Sequence, residues 1–241
     1  MKKTLIVFCL LMASLVTSFT SNAQIAYLGR EFYCDSLKNE VSGFMQLGNN
    51  SITGNFGGVT GMYKHHFTRR WSLEGAVNVQ FMKELYGFYA QGCYRIPVNR
   101  ANLFFTSKFM YNRYAKYSTN EINFNISALW QTRYFNILIG GTFTHFRSLG
   151  SGYTEPINFT FGIGCNIRPR ENRWNLGLFF RNFDDFYYEN WNINWGLNAM
   201  VNLEKNLDLF AEFNIRPAGS ISQLASKYEL AGKLGVKYKW K

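Results

Sequence analysis

Residues 191–203 read Trp-Asn-Ile-Asn-Trp-Gly-Leu-Asn-Ala-Met-Val-Asn-Leu. The odd positions Trp191, Ile193, Trp195, Leu197, Ala199, Val201 and Leu203 are all apolar. The even positions are Asn192, Asn194, Gly196, Asn198, Met200 and Asn202. A period of two is the mark of an extended strand, whose successive side chains point to opposite faces. A helix would need its apolar residues three and four apart, which this stretch does not provide. Residues 157–167 repeat the pattern, with Ile157, Phe159, Phe161, Ile163, Cys165 and Ile167 against Asn158, Thr160, Gly162, Gly164 and Asn166. So do residues 71–81, with Trp71, Leu73, Val77, Val79 and Phe81 against Ser72, Glu74, Asn78 and Gln80.

Applied along the whole chain, this rule predicts twelve strands, at 39–47, 57–67, 70–82, 85–96, 102–115, 121–132, 134–146, 156–168, 173–183, 191–203, 206–216 and 226–240. Connections such as Thr68-Arg69, Arg133 and Glu204-Lys205 are short, and they alternate with longer ones such as 48–56, 147–155 and 184–190. The link at Lys83-Glu84 is short and interrupts that alternation. The fold class predicted is all-β: a closed antiparallel transmembrane β-barrel in up-and-down meander order over residues 39–241. Twelve strands is the main reading, with ten as the alternative if the ends are divided differently. An even count returns both ends of the barrel to the short-turn side.

Composition agrees. The chain has 241 residues, 47% hydrophobic, 18% aromatic and only 17% charged, against a usual charged share of about 25%. It is too aromatic for a disordered protein and too poor in helix formers for a helical bundle. Mean hydropathy is −0.19, which excludes a polytopic helical membrane protein. Residues 1–23 are read as a signal peptide, with Met1-Lys2-Lys3 as the basic start, Leu5 to Val16 as the apolar core and Ser21-Asn22-Ala23 as the cleavage site. Thr17, Ser18, Thr20 and Ser21 end the apolar run short of the ~20 residues a helical anchor needs. Net charge is +11 for the full chain. Residues 24–38 are expected to be an N-terminal arm.

Alternation alone does not say which face meets lipid. A soluble barrel encloses its apolar face, whereas a membrane barrel turns it outward. All six tryptophans fall on apolar faces, and Trp71, Trp130, Trp174 and Trp240 sit at short-turn ends. Together with Trp191 they are assigned to an interfacial aromatic girdle. The opposite face is rich in Asn, Gln, Thr and Gly, which suits a hydrogen-bonded lumen. The alternative is a secreted barrel holding a small apolar ligand.

The C-terminal run Lys233-Leu234-Gly235-Val236-Lys237-Tyr238-Lys239-Trp240 resembles the assembly signal of bacterial outer-membrane β-barrels. Its carriers are Lys233, Gly235, Tyr238 and Trp240, and Lys241 follows the final aromatic, unlike chains that end on it. The resemblance implies a cell outer-membrane location, a last strand read by the barrel-insertion machinery, outer-membrane lipid as surroundings, and periplasmic termini. The leader ending Ser-Asn-Ala-Gln is similar to those of exported Bacteroidota proteins.

Strand parity selects the inward charges. The basic set is Lys64, Arg95, Lys108, Arg168, Arg181, Lys227, Lys233, Lys237 and Lys239, and the acidic set is Glu40, Glu74, Asp208, Glu212 and Glu229. That excess predicts a basic lumen favouring anions, unless the charges pair and close it. Asp184, Asp185, Glu189, Glu121 and Glu155 are assigned to solvated loops. Arg69, Arg70, Arg100, Arg133, Arg170, Arg173, Lys205 and Lys241 crowd the short-turn rim, a surface for an acidic protein partner or anionic headgroups. Nothing behind that rim could read nucleic acid.

His66 shares the inner face with Lys64, whereas His65 and His145 point to lipid, and Ile122 and Ile157 are the expected neighbours of His145. That leaves no Ser or Cys for a Ser–His hydrolase. Cys34, Cys93 and Cys165 lack metal-ligand spacing, so neither metal nor cofactor is expected. A Cys34–Cys93 disulfide is the one pairing the faces allow. The glycines of 54–61 lack the Lys-Ser/Thr of a phosphate loop. Three functions follow in order: a narrow passive pore for small anionic or polar solutes, a non-conducting adhesin, scaffold or envelope-machine subunit, and a lipid-modifying enzyme.

Overall fold

The computed structural model describes residues 26–27, 30–31, 39–51, 54–81, 85–98, 101–132, 134–168, 174–186, 193–204, 206–217 and 228–241. The expected signal peptide, residues 1–23, lies outside the described residues, as does the expected arm, 24–38, apart from Ala26–Tyr27 and Arg30–Glu31, which pair with each other. Twelve long strands follow: β1 (Asn39–Asn50), β2 (Gly54–His66), β3 (Trp71–Gln80), β4 (Leu85–Val98), β5 (Ala101–Tyr114), β6 (Thr119–Gln131), β7 (Phe135–Ser148), β8 (Asn158–Arg168), β9 (Trp174–Arg181), β10 (Asn194–Glu204), β11 (Leu207–Arg216) and β12 (Glu229–Trp240). Each predicted strand is present to within a few residues.

Every strand pairs antiparallel with its neighbours in sequence, and β12 closes on β1 from Trp240↔Asn39 to Glu229↔Asn50. Closure gives each of the twelve strands a paired neighbour on both sides, as hydrocarbon requires. The ten-strand alternative is excluded by this register. Strands of this length, tilted by ~40° at ~3.3 Å per residue, span an apolar band of about 25 Å.

Two short turns close on a threonine. Thr68 Oγ1 accepts from the Arg70 and Trp71 amides at 3.1 and 3.0 Å, and Thr132 Oγ1 accepts from the Phe135 amide at 2.9 Å. Beyond β7 the chain turns at Leu149-Gly150, both with positive φ, as a type I′ hairpin requires. Ser151–Thr154 then pairs back on β7, placing Thr154 beside His145. The predicted neighbour Ile157 is displaced by this extension, while Ile122 is found where expected.

The face reading holds. Leu47, Val77 and Ile126 are 72, 62 and 60% exposed, whereas Asn112, Asn123 and Thr142 are 0% exposed. An apolar outside and a polar inside are stable together only when the outside medium is itself apolar. Trp71, Trp130 and Trp174 are exposed at the short-turn end, with Trp240 half-buried between Tyr63 and Tyr238. Trp191 lies outside the described residues. One departure falls in the stretch that decided the fold. Ile193, expected outward, is buried, because the strand starts only at Asn194 and the residue before it is free of the alternation.

Placing a charge on the lipid face at mid-strand should therefore be costly. Val77→Arg is expected to lose about 2–4 kcal/mol in denaturant unfolding from lipid vesicles. Inward Thr142→Ser, which keeps its hydroxyl, should change stability by under about 1 kcal/mol.

Candidate functional site

The interior has two unlike walls. Midway along β6 to β8 it is neutral and hydrogen-bonded: Thr142 and Thr160 hydroxyls lie 2.7 Å apart, Asn125 Nδ2 donates to both, and Thr144 Oγ1 donates to Asn123. The arc running from β11 through β12 to β3 is ionic. In its short-turn half, Glu40 accepts from His66 at 3.0 Å and faces Lys237 at 3.7 Å. Lys239 pairs with Asp208 at 2.8 Å, and Lys64 lies 4.0 Å from Glu74, which also accepts from the Tyr89 hydroxyl. Toward the long-loop end, Arg216 faces Glu229 at 3.6 Å. Lys64, Glu74, Lys108, Arg181, Asp208, Glu212, Lys233 and Lys237, selected by strand parity, all point inward. Arg95, half-buried, donates to Asn102 Oδ1 at 2.8 Å. Lys227 and the Arg168 side chain lie outside the described residues.

The lumen's main feature was not expected. The segment after β9, Asn182 to Phe186, turns into the barrel instead of lying on its rim. Asn182 starts the turn, its amide group donating to the Phe159 carbonyl at 2.7 Å and accepting from the Phe161 amide at 2.8 Å. Asp184 is then 4% exposed. Its Oδ1 accepts from Lys233 Nζ at 2.6 Å and lies 3.3 Å from Arg181 Nη2. Asp185 Oδ2 lies 3.2 Å from Lys233, and its carbonyl accepts from Lys108 on β5. Glu212 completes the group, 2.8 Å from Arg181 and 3.1 Å from Lys233.

Phe186 anchors the far side. Its ring packs on Tyr89 of β4 at 5.1 Å between centroids, and its carbonyl accepts from Asn112. Gly87 makes the seat: a Cβ there would stand 2.9 Å from the Phe186 ring. Phe183 packs against an inner cluster of Cys93, Phe104, Leu129, Leu138 and Phe179. Phe179 in turn lies over Gly196 and under the Arg181 guanidinium, 4.2 Å away. The segment therefore bridges from β9 to β4, β5 and β12, across the lumen.

This corrects the predicted basic interior. Asp184 and Asp185 were assigned to a solvated loop, and Glu121, assigned likewise, is buried on β6 and accepts from Tyr114, Asn112 and Asn123. With these three counted, the described inward carboxylates match the described inward cations. The usable signal was Phe183-Asp184-Asp185-Phe186, since two aromatics flanking two aspartates do not suit a loop in water.

Other expectations resolve as follows. Cys93 is a free thiol in the apolar cluster, so the Cys34–Cys93 bridge is not formed; Cys34 itself lies outside the described residues. Cys165 is also free. His65 Nδ1 lies 2.9 Å from Asn39 Oδ1, and His145 Nδ1 lies 2.8 Å from Thr154 Oγ1. Arg69, Arg70 and Lys241 are exposed at the short-turn rim, and Arg100, Arg133, Arg170, Arg173 and Lys205 lie outside the described residues. Lys233, Gly235, Tyr238 and Trp240 all lie on β12, where Lys233 and Gly235 are buried inward, Tyr238 is exposed outward and Trp240 half-buried. Among the described residues no cluster of His, Cys, Asp and Glu could hold a metal ion.

No protein-family model matches this chain, and neither does any curated protein. Solved structures do match in fold. The KdgM porin in complex with disordered oligogalacturonate aligns over 83% of this chain and 99% of its own, at TM-score 0.56 and 10% identity. The NanC porin aligns over 82% and 99%, at TM-score 0.54 and 11% identity. The translocator domain of autotransporter NalP from Neisseria meningitidis aligns over 86% and 90%, at TM-score 0.51 and 13% identity. The fold is that of the outer-membrane β-barrels.

Two outcomes follow for the inward segment. Burial opposes ionisation of Asp184, but Lys233 and Arg181 outweigh it and hold the carboxyl well below the ordinary range. A carboxyl more acidic in place than in water contributes fully above its ordinary value of about 4 and progressively less as pH falls below it. Acidification below about pH 4 should loosen the segment, speeding amide hydrogen exchange over residues 182–186, and Asp184→Asn should blunt that response. Gly87→Val should unseat Phe186 and speed exchange over the same residues at neutral pH.

Proposed function

We propose that this chain is an outer-membrane pore for small anionic or polar solutes, narrowed by residues 182–186. The observation that carries the reading is the division of charge between wall and segment. Arg181 and Lys233 belong to the wall, whereas Asp184 and Asp185, two of the carboxylates against them, ride on a separate segment, held besides these ion pairs by the Phe183 and Phe186 contacts and a few hydrogen bonds, one of them from Lys108 to the Asp185 carbonyl. With the segment inside, the passage is narrow and electrically balanced. With it displaced, the wall keeps its cations and favours anions. The fold likeness to a porin solved with oligogalacturonate, an acidic sugar chain, is consistent with that preference.

In this reading the outward band meets outer-membrane lipid, the short-turn end faces the periplasm, and β12 is the strand the insertion machinery recognises. No catalytic role is assigned. His145 lies on the outer face beside a threonine hydroxyl, where a Ser–His hydrolase would place a Ser. The second reading, a non-conducting scaffold or adhesin, draws on the same segment, since ion pairs that cross a lumen can also close it.

Planar-bilayer recording of the purified protein separates the two. The pore reading expects discrete steps with an anion preference, and Lys108→Gln should lower the chloride-to-potassium permeability ratio. Silence at all voltages, in wild type and Gly87→Val alike, would establish the scaffold instead.

A further inference from the structure

The outer face of the barrel carries a hollow that the lumen does not use. Four strands meet there in unbroken register. Ile163, Phe180, Trp195 and Ile215 stand directly opposite one another across β8, β9, β10 and β11. One step nearer the short turns, Cys165, Leu178, Leu197 and Phe213 form a second row in the same way. Strand parity turns both rows outward, and they border a hollow of about 420 Å³ whose floor lies at Phe179 and Gly196, between the rows. The row nearer the long loops is a wall of rings. Phe180 and Trp195 meet edge to face at 4.6 Å, and the Phe161 ring lies 5.7 Å from Phe180. The other row opens at its β8 end, where Cys165 is the smallest side chain of the four. At ~4.8 Å between strands, the rows run about 14 Å from β8 to β11.

We propose that this hollow is a binding site for one acyl chain of a membrane lipid, lying across β8 to β11 between the two rows. Two observations point to that occupant. The hollow is continuous with the lipid-facing band, since Ile163, Trp195, Leu197 and Phe213 are exposed on the same face as Val77 and Ile126. Among the described residues its lining also carries no charged side chain, and its hydrogen-bonding side-chain groups are the Trp195 indole N–H and the weakly polar Cys165 thiol. A protein segment entering at this depth would bring backbone amides that the hollow could not pair. A headgroup or a sugar would lose its hydrogen bonds to water. A hydrocarbon chain brings neither cost. Because the chain comes from surrounding lipid, release of water contributes little. The attraction is close packing against both rows and the floor, where an ordinary boundary lipid touches the protein on one side. Affinity should therefore rise with chain length until the rows are filled, and should be indifferent to the headgroup. The site requires only that this face meet lipid, and is independent of whether the lumen conducts.

The test is native mass spectrometry of the purified full chain, released from octyl glucoside micelles after incubation with dipalmitoyl phosphatidylethanolamine. Wild type should retain one lipid at a collision energy that strips the others. Cys165→Phe and Leu197→Trp each fill the hollow with carbon and keep the face apolar, and should lower the retained fraction at least about threefold. Leu197→Trp serves if Cys165→Phe fails to fold. Ile126→Phe, an enlargement of the same kind on the exposed face of β6, should leave retention unchanged. Dioctanoyl phosphatidylethanolamine should be held at least about threefold less than the dipalmitoyl lipid, and dipalmitoyl phosphatidylcholine equally well. Equal retention by wild type and the folded filling variants would overturn the proposal, as would retention that follows the headgroup and not the chain. A dimer mass that disappears in both filling variants would assign the hollow to a second copy of this chain instead. Bilayer recording bears on the pore reading alone, so either reading can fail while the other stands.

Discussion

Any strand that crosses hydrocarbon must have all its backbone amides and carbonyls paired within the protein, because nothing outside can accept or donate. The twelve-residue pairing of β12 with β1 is where this chain meets that condition. Once the sheet is closed, each residue has only two directions available, and side-chain polarity decides which one is lipid. The rest follows from this constraint: the outward apolar band, the tryptophans near the short turns, and an interior that must solvate its charges with other side chains.

That interior solution differs from the one a soluble core would use. A soluble protein avoids burying charge because the cost of desolvation often exceeds the attraction regained. Here the ionic arc from β11 to β3 pairs each group with at least one opposite charge or hydrogen-bond partner, as in Glu40 between His66 and Lys237. The inner wall also carries aromatic rings where a neighbouring strand supplies a glycine. Phe179 on the wall lies against Gly196, and Phe186 of the inward segment against Gly87, where a Cβ would collide with the ring. Phe179 also lies beside the Arg181 guanidinium, and with Tyr89 it gives the inward segment an aromatic surface to pack on.

Much of the fold was legible because period-two alternation is a local signal repeated twelve times, and each repeat fixes its own strand. The inward charges of the wall were legible for the same reason: Lys64, Glu74, Arg181 and Glu212 inherit their direction from strand parity. What parity cannot reach is a residue outside a strand. Asp184, Asp185 and Phe186 escape it, and so does Ile193, one position before β10. Aromatic residues also mislead a two-face reading, since Tyr89 and Phe179 count as greasy by composition yet face the lumen. The pairing of Thr154 with His145 depends on a hairpin extension whose turn, Leu149-Gly150, gives only a weak signal in sequence. Long-range choices, such as which cation a loop carboxylate reaches, depend on closure of the whole barrel and are written in no single window.

The claim beneath all of this is that the tryptophan-bearing face contacts acyl chains while the asparagine-bearing face is enclosed. Quenching of intrinsic fluorescence by lipids brominated at defined depths tests it most directly. Trp71, Trp130, Trp174 and Trp195, all exposed outward, should be quenched, the first three most strongly by bromines placed near one interface. Fluorescence untouched by brominated lipid at every depth would contradict the account.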